Sequence, residues 1–287
     1  MSVTNGFHSY NKPLVGAQLD RTNPLAAGLV AGWLLNESGG IIASPFVSGS
    51  GNGVFTNPGA GALPTWSAAP DGPSVSFTGA TSYNYIEVAS NPVLAAFGAS
   101  RAPWTVSCSV YLNSLRNYNS TVVICTTGGI PAPFDCYVTS TGVWTYFTGD
   151  GTNFPNGTVA GAVAKTWYRI SHSYDGNTCR FYINGVLKGS FASTQSTNTG
   201  RPLRIGGERD GGLVGLDGRI GYTFMHNRAL SAAEVSLLAQ DPYQVIQAPT
   251  SRRFQSLGGS PFSLYPDRWK AFYPDIIPGE GTAVVSY

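Results

Sequence analysis

Trp144 and Tyr146, two positions apart in Val143-Trp-Thr-Tyr-Phe147, are spaced to lie on one side of an extended strand. A ring exposed on a surface is a stacking platform for a sugar, and amides nearby fix the sugar's hydroxyls. The segment Asn117-Tyr118-Asn119 offers such amides beside a further ring. These five residues form the candidate glycan-binding set; packing in the core or against a neighbouring subunit is the competing reading. Cleaving a glycan asks for more, namely two carboxyl groups flanking the scissile bond. The nearest approach is Glu208-Arg209-Asp210, but the glycines on both sides mark that segment as a loop. His8, His172 and His226 are scattered, without the spacing of a metal site or of a Ser-His-Asp set. His172 shares its strand face with Ile170 and Tyr174 and reads as a hydrogen-bonded, partly buried residue. The chain is therefore expected to be non-enzymatic.

Hard divalent cations want several oxygen ligands together. Asp135, Asp150 and Asp210 are loop candidates for calcium, although none is clustered with another acid; Asp175 is accounted for by its turn. No other cofactor is expected. Cys108, Cys125, Cys136 and Cys179 are too widely spaced for a zinc site and are expected as buried thiols.

The elements that must carry these residues are strands. Gly (36) and Pro (19) punctuate the 287 residues at the rhythm of an all-β sandwich. Charged residues make up 11% against about 25% in an average domain, so the surface is solvated by hydroxyls, amides and backbone and suits close packing in an assembly. A net charge of +2 and no basic cluster beyond Arg252-Arg253 exclude the footprint of a nucleic-acid binder. The start has no basic and apolar leader, and the longest apolar run, Leu25 to Leu35, is too short to span a bilayer. A soluble chain without membrane insertion is expected.

Trp104 to Leu112 alternates, with Val106, Cys108 and Val110 opposite Thr105, Ser107 and Ser109, so one face is expected in the core and the other in water. Trp167 to Leu187 holds two turn signals, Asp175-Gly176 and Asn184-Gly185, each expected to form a two-residue turn of a β-meander. The strong helix signal is Ser231-Ala-Ala-Glu234, a capping box with Leu230 and Val235 as its hydrophobic staple. Residues 1–24 read as an N-terminal arm, 25–242 as the sandwich and 243–287 as a Pro- and aromatic-rich C-terminal arm. Phe262, Tyr265, Trp269, Phe272 and Tyr273 give that last segment more rings than a disordered tail carries, so it is expected to pack in an assembly.

Several stretches carry a family resemblance: Gly32-Trp-Leu-Leu-Asn-Glu37, Val75-Ser-Phe-Thr-Gly79, the Trp167–Leu187 meander, and above all Leu203-Arg-Ile-Gly-Gly207 with Gly215-Leu-Asp-Gly-Arg-Ile220 and Asn227-Arg-Ala-Leu-Ser-Ala-Ala-Glu-Val235. Together they resemble laminin-G-like, concanavalin A-like jelly-roll domains over residues 25–242. The resemblance implies an all-β jelly-roll sandwich with one short C-terminal helix, Trp33, Trp104 and Trp167 packed in its core, and a binding or display role. It also adds weight against hydrolysis, because the Glu-x-Asp-x-Glu strand of the family's laminarinase-like members is missing.

The opening from Lys12 to Glu37 and the Asp241-Pro-Tyr-Gln and Ser251-Arg-Arg-Phe segments resemble proteins of tailed bacteriophages that carry this fold on the virion surface. That implies a structural, decorating role as a capsid decoration or head fibre. The implied partners are capsid or tail subunits, further copies of the chain in a homo-oligomer, and host-surface glycans. The alternative is a carbohydrate-binding adhesin or tail-fibre module.

Overall fold

The computed structural model describes residues 12–59, 61–69, 72–79, 84–116, 120–126, 131–150, 152–194, 200–207 and 215–247. The chain opens with β1 (Gln18–Leu19), β2 (Leu29–Trp33), β3 (Ile42–Ala43), β4 (Gly53–Thr56), β5 (Thr65–Ala69), β6 (Gly72–Thr78) and β7 (Tyr85–Val88). After the short helix α1 (Pro92–Ala96) come β8 (Trp104–Leu112), β9 (Ser120–Thr126), β10 (Pro131–Val138), β11 (Val143–Thr148) and β12 (Asn156–Ala160). The meander is β13 (Thr166–Tyr174), β14 (Thr178–Ile183) and β15 (Val186–Ala192). The chain then forms β16 (Leu203–Ile205), β17 (Asp217–His226), helix α2 (Ala232–Gln240) and β18 (Ile246–Gln247).

Two eight-stranded antiparallel sheets face each other. The first runs β12-β11-β10-β9-β16-β7-β4-β3; the second runs β15-β14-β13-β8-β17-β6-β5, with β2 pairing to β17 beyond the end of β6. Trp104, Val106, Cys108, Val110, Ile170 and Phe181 of the second sheet meet Phe134, Cys136, Val138, Trp144, Tyr146 and Ile205 of the first in one apolar core. This is the expected all-β jelly-roll sandwich.

Local chemistry sets the turns. Asn184 and Gly185 both take positive φ (52° and 79°), the conformation that a tight two-residue turn between β14 and β15 requires. The other turn differs from expectation. Only Gly176 is positive (99°), residues 175–177 form the loop, and Asp175 Oδ1 accepts from the backbone N–H of Asn177 (3.0 Å) and Thr178 (2.8 Å). The aspartate closes the turn through its side chain, so it needs no left-handed backbone. The capping box of α2 forms as expected, with the Ser231 hydroxyl accepting from Glu234 N–H and the Glu234 carboxylate from Ser231 N–H.

The outer face of β8 is a second difference. Thr105, Ser107 and Ser109 are as buried as the core side of the strand. Helix α2, the 3-10 turn Pro242–Val245 and residues 17–26 lie over this end of the second sheet, forming a second apolar cluster with Leu29, Tyr182, Tyr222 and Phe224 of the sheet. Two of these hydroxyls are paired beneath it: Ser107 Oγ is 2.8 Å from Ser171 Oγ, and Thr105 Oγ1 donates to Arg228 O and accepts from Leu230 N–H. Residues 12–24 and 243–247 thus pack on the sandwich, and β1 pairs with β18. Lys12, itself buried, donates its ammonium protons to the carbonyls of Leu35 (3.2 Å), Pro73 and Gly221 and ties the incoming chain to the second sheet.

Candidate functional site

Strand β11 decides where a sugar could stack. Val138 pairs with Trp144 and Cys136 with Tyr146, and all four side chains point into the core. Trp144 and Tyr146 are 0% and 1% exposed. Trp144 meets Tyr168 edge-on at 5.3 Å, and Tyr146 stacks on Phe181 at 4.8 Å with 11° between the ring planes. Both are withdrawn as glycan contacts. The spacing placed them correctly on one face, but Val-Trp-Thr-Tyr-Phe offers rings at both parities, and burying the larger pair wins. The cost of ionising the Tyr146 phenol in that setting raises its pKa to about 12 through desolvation.

The opposite parity builds the surface that Trp144 and Tyr146 do not. Asp135 and Tyr137 alternate with the inward Cys136 and Val138, and Phe147 lies across from Asp135 on the outer side of the first sheet. Tyr137 and Phe147 lie with ring centroids 5.5 Å apart, and Phe154, 49% exposed, leans on Phe147 at 6.5 Å. A continuous register extends from this patch across the sheet, Phe147 to Asp135 to Ile124 to Arg204 to Glu87 to Val54. In that row Arg204 Nε donates to Glu87 Oε2 at 3.1 Å, and the Arg204 guanidinium lies 5.1 Å above the Tyr85 ring. Asp135 and Arg204 are themselves buried, 5% and 3% exposed, so what this face offers a glycan is the half-buried rings of Tyr137 and Phe147, the exposed Phe154 and the part-exposed Glu87 carboxylate. The Asp-Cys-Tyr-Val alternation was the sequence signal for it.

Asn117, Tyr118, Asn119 and Asp210 lie outside the described residues, as do the arm residues Phe262, Tyr265, Trp269, Phe272 and Tyr273. Of the remaining calcium candidates, Asp135 sits within a strand, not a loop. Asp150 spends Oδ1 on the backbone N–H of Asn153 (2.7 Å) and Thr152 (2.8 Å), bonds that hold its carboxyl below the usual range. Among the described residues no three His, Cys, Asp or Glu side chains gather where a metal ion could bind. Cys108, Cys136 and Cys179 are buried free thiols, with burial pushing each pKa up. His172 is also buried, its Nε2 3.3 Å from Cys179 Sγ, and desolvation lowers its pKa to about 3. It therefore stays neutral within the core.

Trp33 and Trp104 are core residues as expected, but Trp167 is not. Tyr168 and Ile170 take the inward positions of β13, which turns Trp167 to the outer face, half-buried beside Tyr111 at 5.4 Å. Among the described residues no helix is long and apolar enough to cross a membrane.

Solved structures similar to this one share the sandwich. Domain 4 of AbnA, an extracellular arabinanase from Geobacillus stearothermophilus solved with arabinotriose, aligns with a TM-score of 0.57 at 18% identity, covering 74% of this chain and 98% of that domain. The binding domain of Paraclostridial Mosquitocidal Protein 1 gives 0.61 at 13%, covering 76% of this chain and 53% of the other. Trypanosoma rangeli sialidase with the inhibitor DANA gives 0.58 at 14%, covering 76% and 34%. The chain thus spans about half of the toxin structure and a third of the sialidase. No curated protein matches it in sequence. At these identities the likeness is one of fold. A laminin-G-type family profile fits residues 78–236, more than half of the sequence, and on that match the chain belongs to the concanavalin A-like lectin/glucanases superfamily.

Proposed function

We propose that this lectin-like jelly roll is a non-enzymatic display module that binds glycans on the outer face of its first sheet and is carried on the surface of a tailed-bacteriophage particle. The glycan reading rests on one observation, the Tyr137–Phe147–Phe154 aromatic patch on the outer side of the first sheet, with the part-exposed Glu87 carboxylate on the same face. Its non-enzymatic part rests on spacing. Glu87 and Asp135 share the face but sit three strands apart, about 14 Å at 4.8 Å per strand. Glycoside hydrolysis needs its two carboxyl groups about 5–9.5 Å apart.

The virion location rests on the resemblance of the opening and post-helix segments to phage surface proteins. In this reading the aromatic C-terminal segment docks on capsid or tail subunits, where apolar burial contributes about 25 cal/mol per Å² before ordering costs, and copies of the chain associate. A second reading, a dedicated carbohydrate-binding adhesin, is favoured by the likeness to an arabinanase domain solved with an arabinose oligomer.

Glycan-array binding by the full chain, beside a Phe147→Ala variant of equal melting temperature, tests the site. The expected result is a glycan-dependent signal that Phe147→Ala reduces about tenfold or more. Silence of the wild-type chain on a broad array overturns the glycan reading. Mass-spectrometric counting against the major capsid protein tests the location: a ratio near one, or a simple fraction of it, means decoration, and a handful of copies means a fibre. Absence from particles removes the virion and leaves the adhesin.

A further inference from the structure

On the opposite side of the sandwich, the outer face of the second sheet carries a shallow cleft of about 250 Å³ lined by Ser76, Thr78, Asn113, Asp217, Gly218 and Arg219. We infer that this cleft is a second, separate carbohydrate subsite, built for a neutral pyranose with adjacent hydroxyls. It goes beyond the reading above, because it shares no residue with the Tyr137–Phe147 face.

The register sets out two rows. One crosses the sheet from Trp167 to Tyr111 to Arg219 to Ser76. The next, two residues further along the strands and so about 6.8 Å away, holds Asn113, Asp217 and Thr78. The first row is an aromatic ledge: Trp167 and Tyr111 are 5.4 Å apart, and the Arg219 guanidinium lies 5.0 Å over the Tyr111 ring. The second row is polar and held in place. Asp217 Oδ1 accepts from Asn113 Nδ2 at 3.1 Å and Oδ2 accepts from the Ser114 hydroxyl. Between the rows the floor is the backbone of Gly218, whose own side-chain position faces the core with its partners Phe77 and Leu112.

A carboxylate oxygen has about two acceptor directions and each Asp217 oxygen uses one here, so each can still accept from a sugar hydroxyl. The second Nδ2 proton of Asn113 donates to the neighbouring hydroxyl. A hydroxyl pair is thus bracketed by an acceptor and a donor, while the apolar C–H face of the ring rests on the ledge. Arg219 also donates to Ala68 O at 2.9 Å, which fixes the guanidinium beside the cleft. Its charge offsets that of Asp217, which selects a neutral sugar over an acidic one.

The test is an NMR titration of the 15N-labelled full chain with methyl glucoside, galactoside and mannoside, and with sialic acid as the charged counterpart. At least one neutral glycoside is expected to move the Asn113 side-chain amide and the Trp167 indole N–H in a saturable way at millimolar concentration. Asn113→Ala and Trp167→Ala should each weaken that binding about tenfold at unchanged melting temperature, and Phe147→Ala should leave it intact. Asn113 is exposed, so its variant keeps the test if Trp167→Ala folds poorly. No saturable shift at these two residues, or binding of sialic acid alone, overturns the inference. So does sugar binding that both cleft variants retain and Phe147→Ala abolishes, a result that would leave the first-sheet reading standing.

Discussion

Strand β17 passes through two regions of one outer face that end differently. At its C-terminal end Tyr222 and Phe224, 4.6 Å apart, lie sealed under Val235 and Leu238 of α2, with Phe46 edge-on to Phe224 at 5.3 Å. At its N-terminal end Asp217 and Arg219 stand in an open cleft beside Tyr111 and Trp167. Both regions are aromatic, so ring content does not separate them. The cations do. In the closed region Arg169 donates to Ala239 O and Gln240 O at the C-terminus of α2, where a positive charge also suits the helix dipole, and Arg228 donates to Ala27 O while pairing with Glu234. These cations sew covering segments down. Arg219 is bound to the sheet edge at Ala68 instead, and no described segment covers it.

Substitutions at the two ends should sharpen this contrast. Phe224→Ala removes a fully buried ring from beneath α2, and a loss of about 3–5 kcal/mol is expected in denaturant unfolding; a loss near zero would show that the cover is not packed. Acid should act next, first through the buried histidines. Desolvation lowers the pKa of His226, which donates from Nε2 to Leu25 O at 3.0 Å under the cover, to about 4, and that of core His172 to about 3. The unfolded chain takes up these protons near pH 6.5. Stability is therefore whole above about pH 6.5 and falls below it by about 1.4 kcal/mol per pH unit for each histidine, until the folded values are reached. Unfolding free energies measured from about pH 7 to about pH 5 check this slope, and a flat profile would mean that the imidazoles ionise within the fold. Trp167→Ala, in the open region, should change stability least, by within about 0.5 kcal/mol; a loss as large as that of Phe224→Ala would make the ledge part of the core.

Much of the fold was legible in local patterns. Asn184-Gly185 fixes its hairpin because the turn needs two left-handed residues, and Ser231 with Glu234 starts α2 because the first turn's N–H groups need acceptors. The site was half legible. Period-2 spacing put Trp144 with Tyr146, but it does not say which side of the strand faces the opposing sheet, and Asp135, read as a loop residue, turned out to alternate with Cys136 inside a strand. For β8 alternation separated Val106 from Thr105, yet the hydroxyl side was read as wet because nothing local shows that Arg228 and Leu230, more than a hundred residues later, will close over Thr105.

By itself, then, the sequence determined the strands, the turns, the capped helix and the absence of a basic footprint, since each follows from backbone geometry or charge within a few residues. Only the tertiary structure decided which parity of β11 is core, that Trp167 looks outward, and that Asn113, Asp217 and Arg219 meet across strands far apart in the chain. Those outcomes follow from burying the most apolar area between two sheets, a quantity that depends on every strand at once.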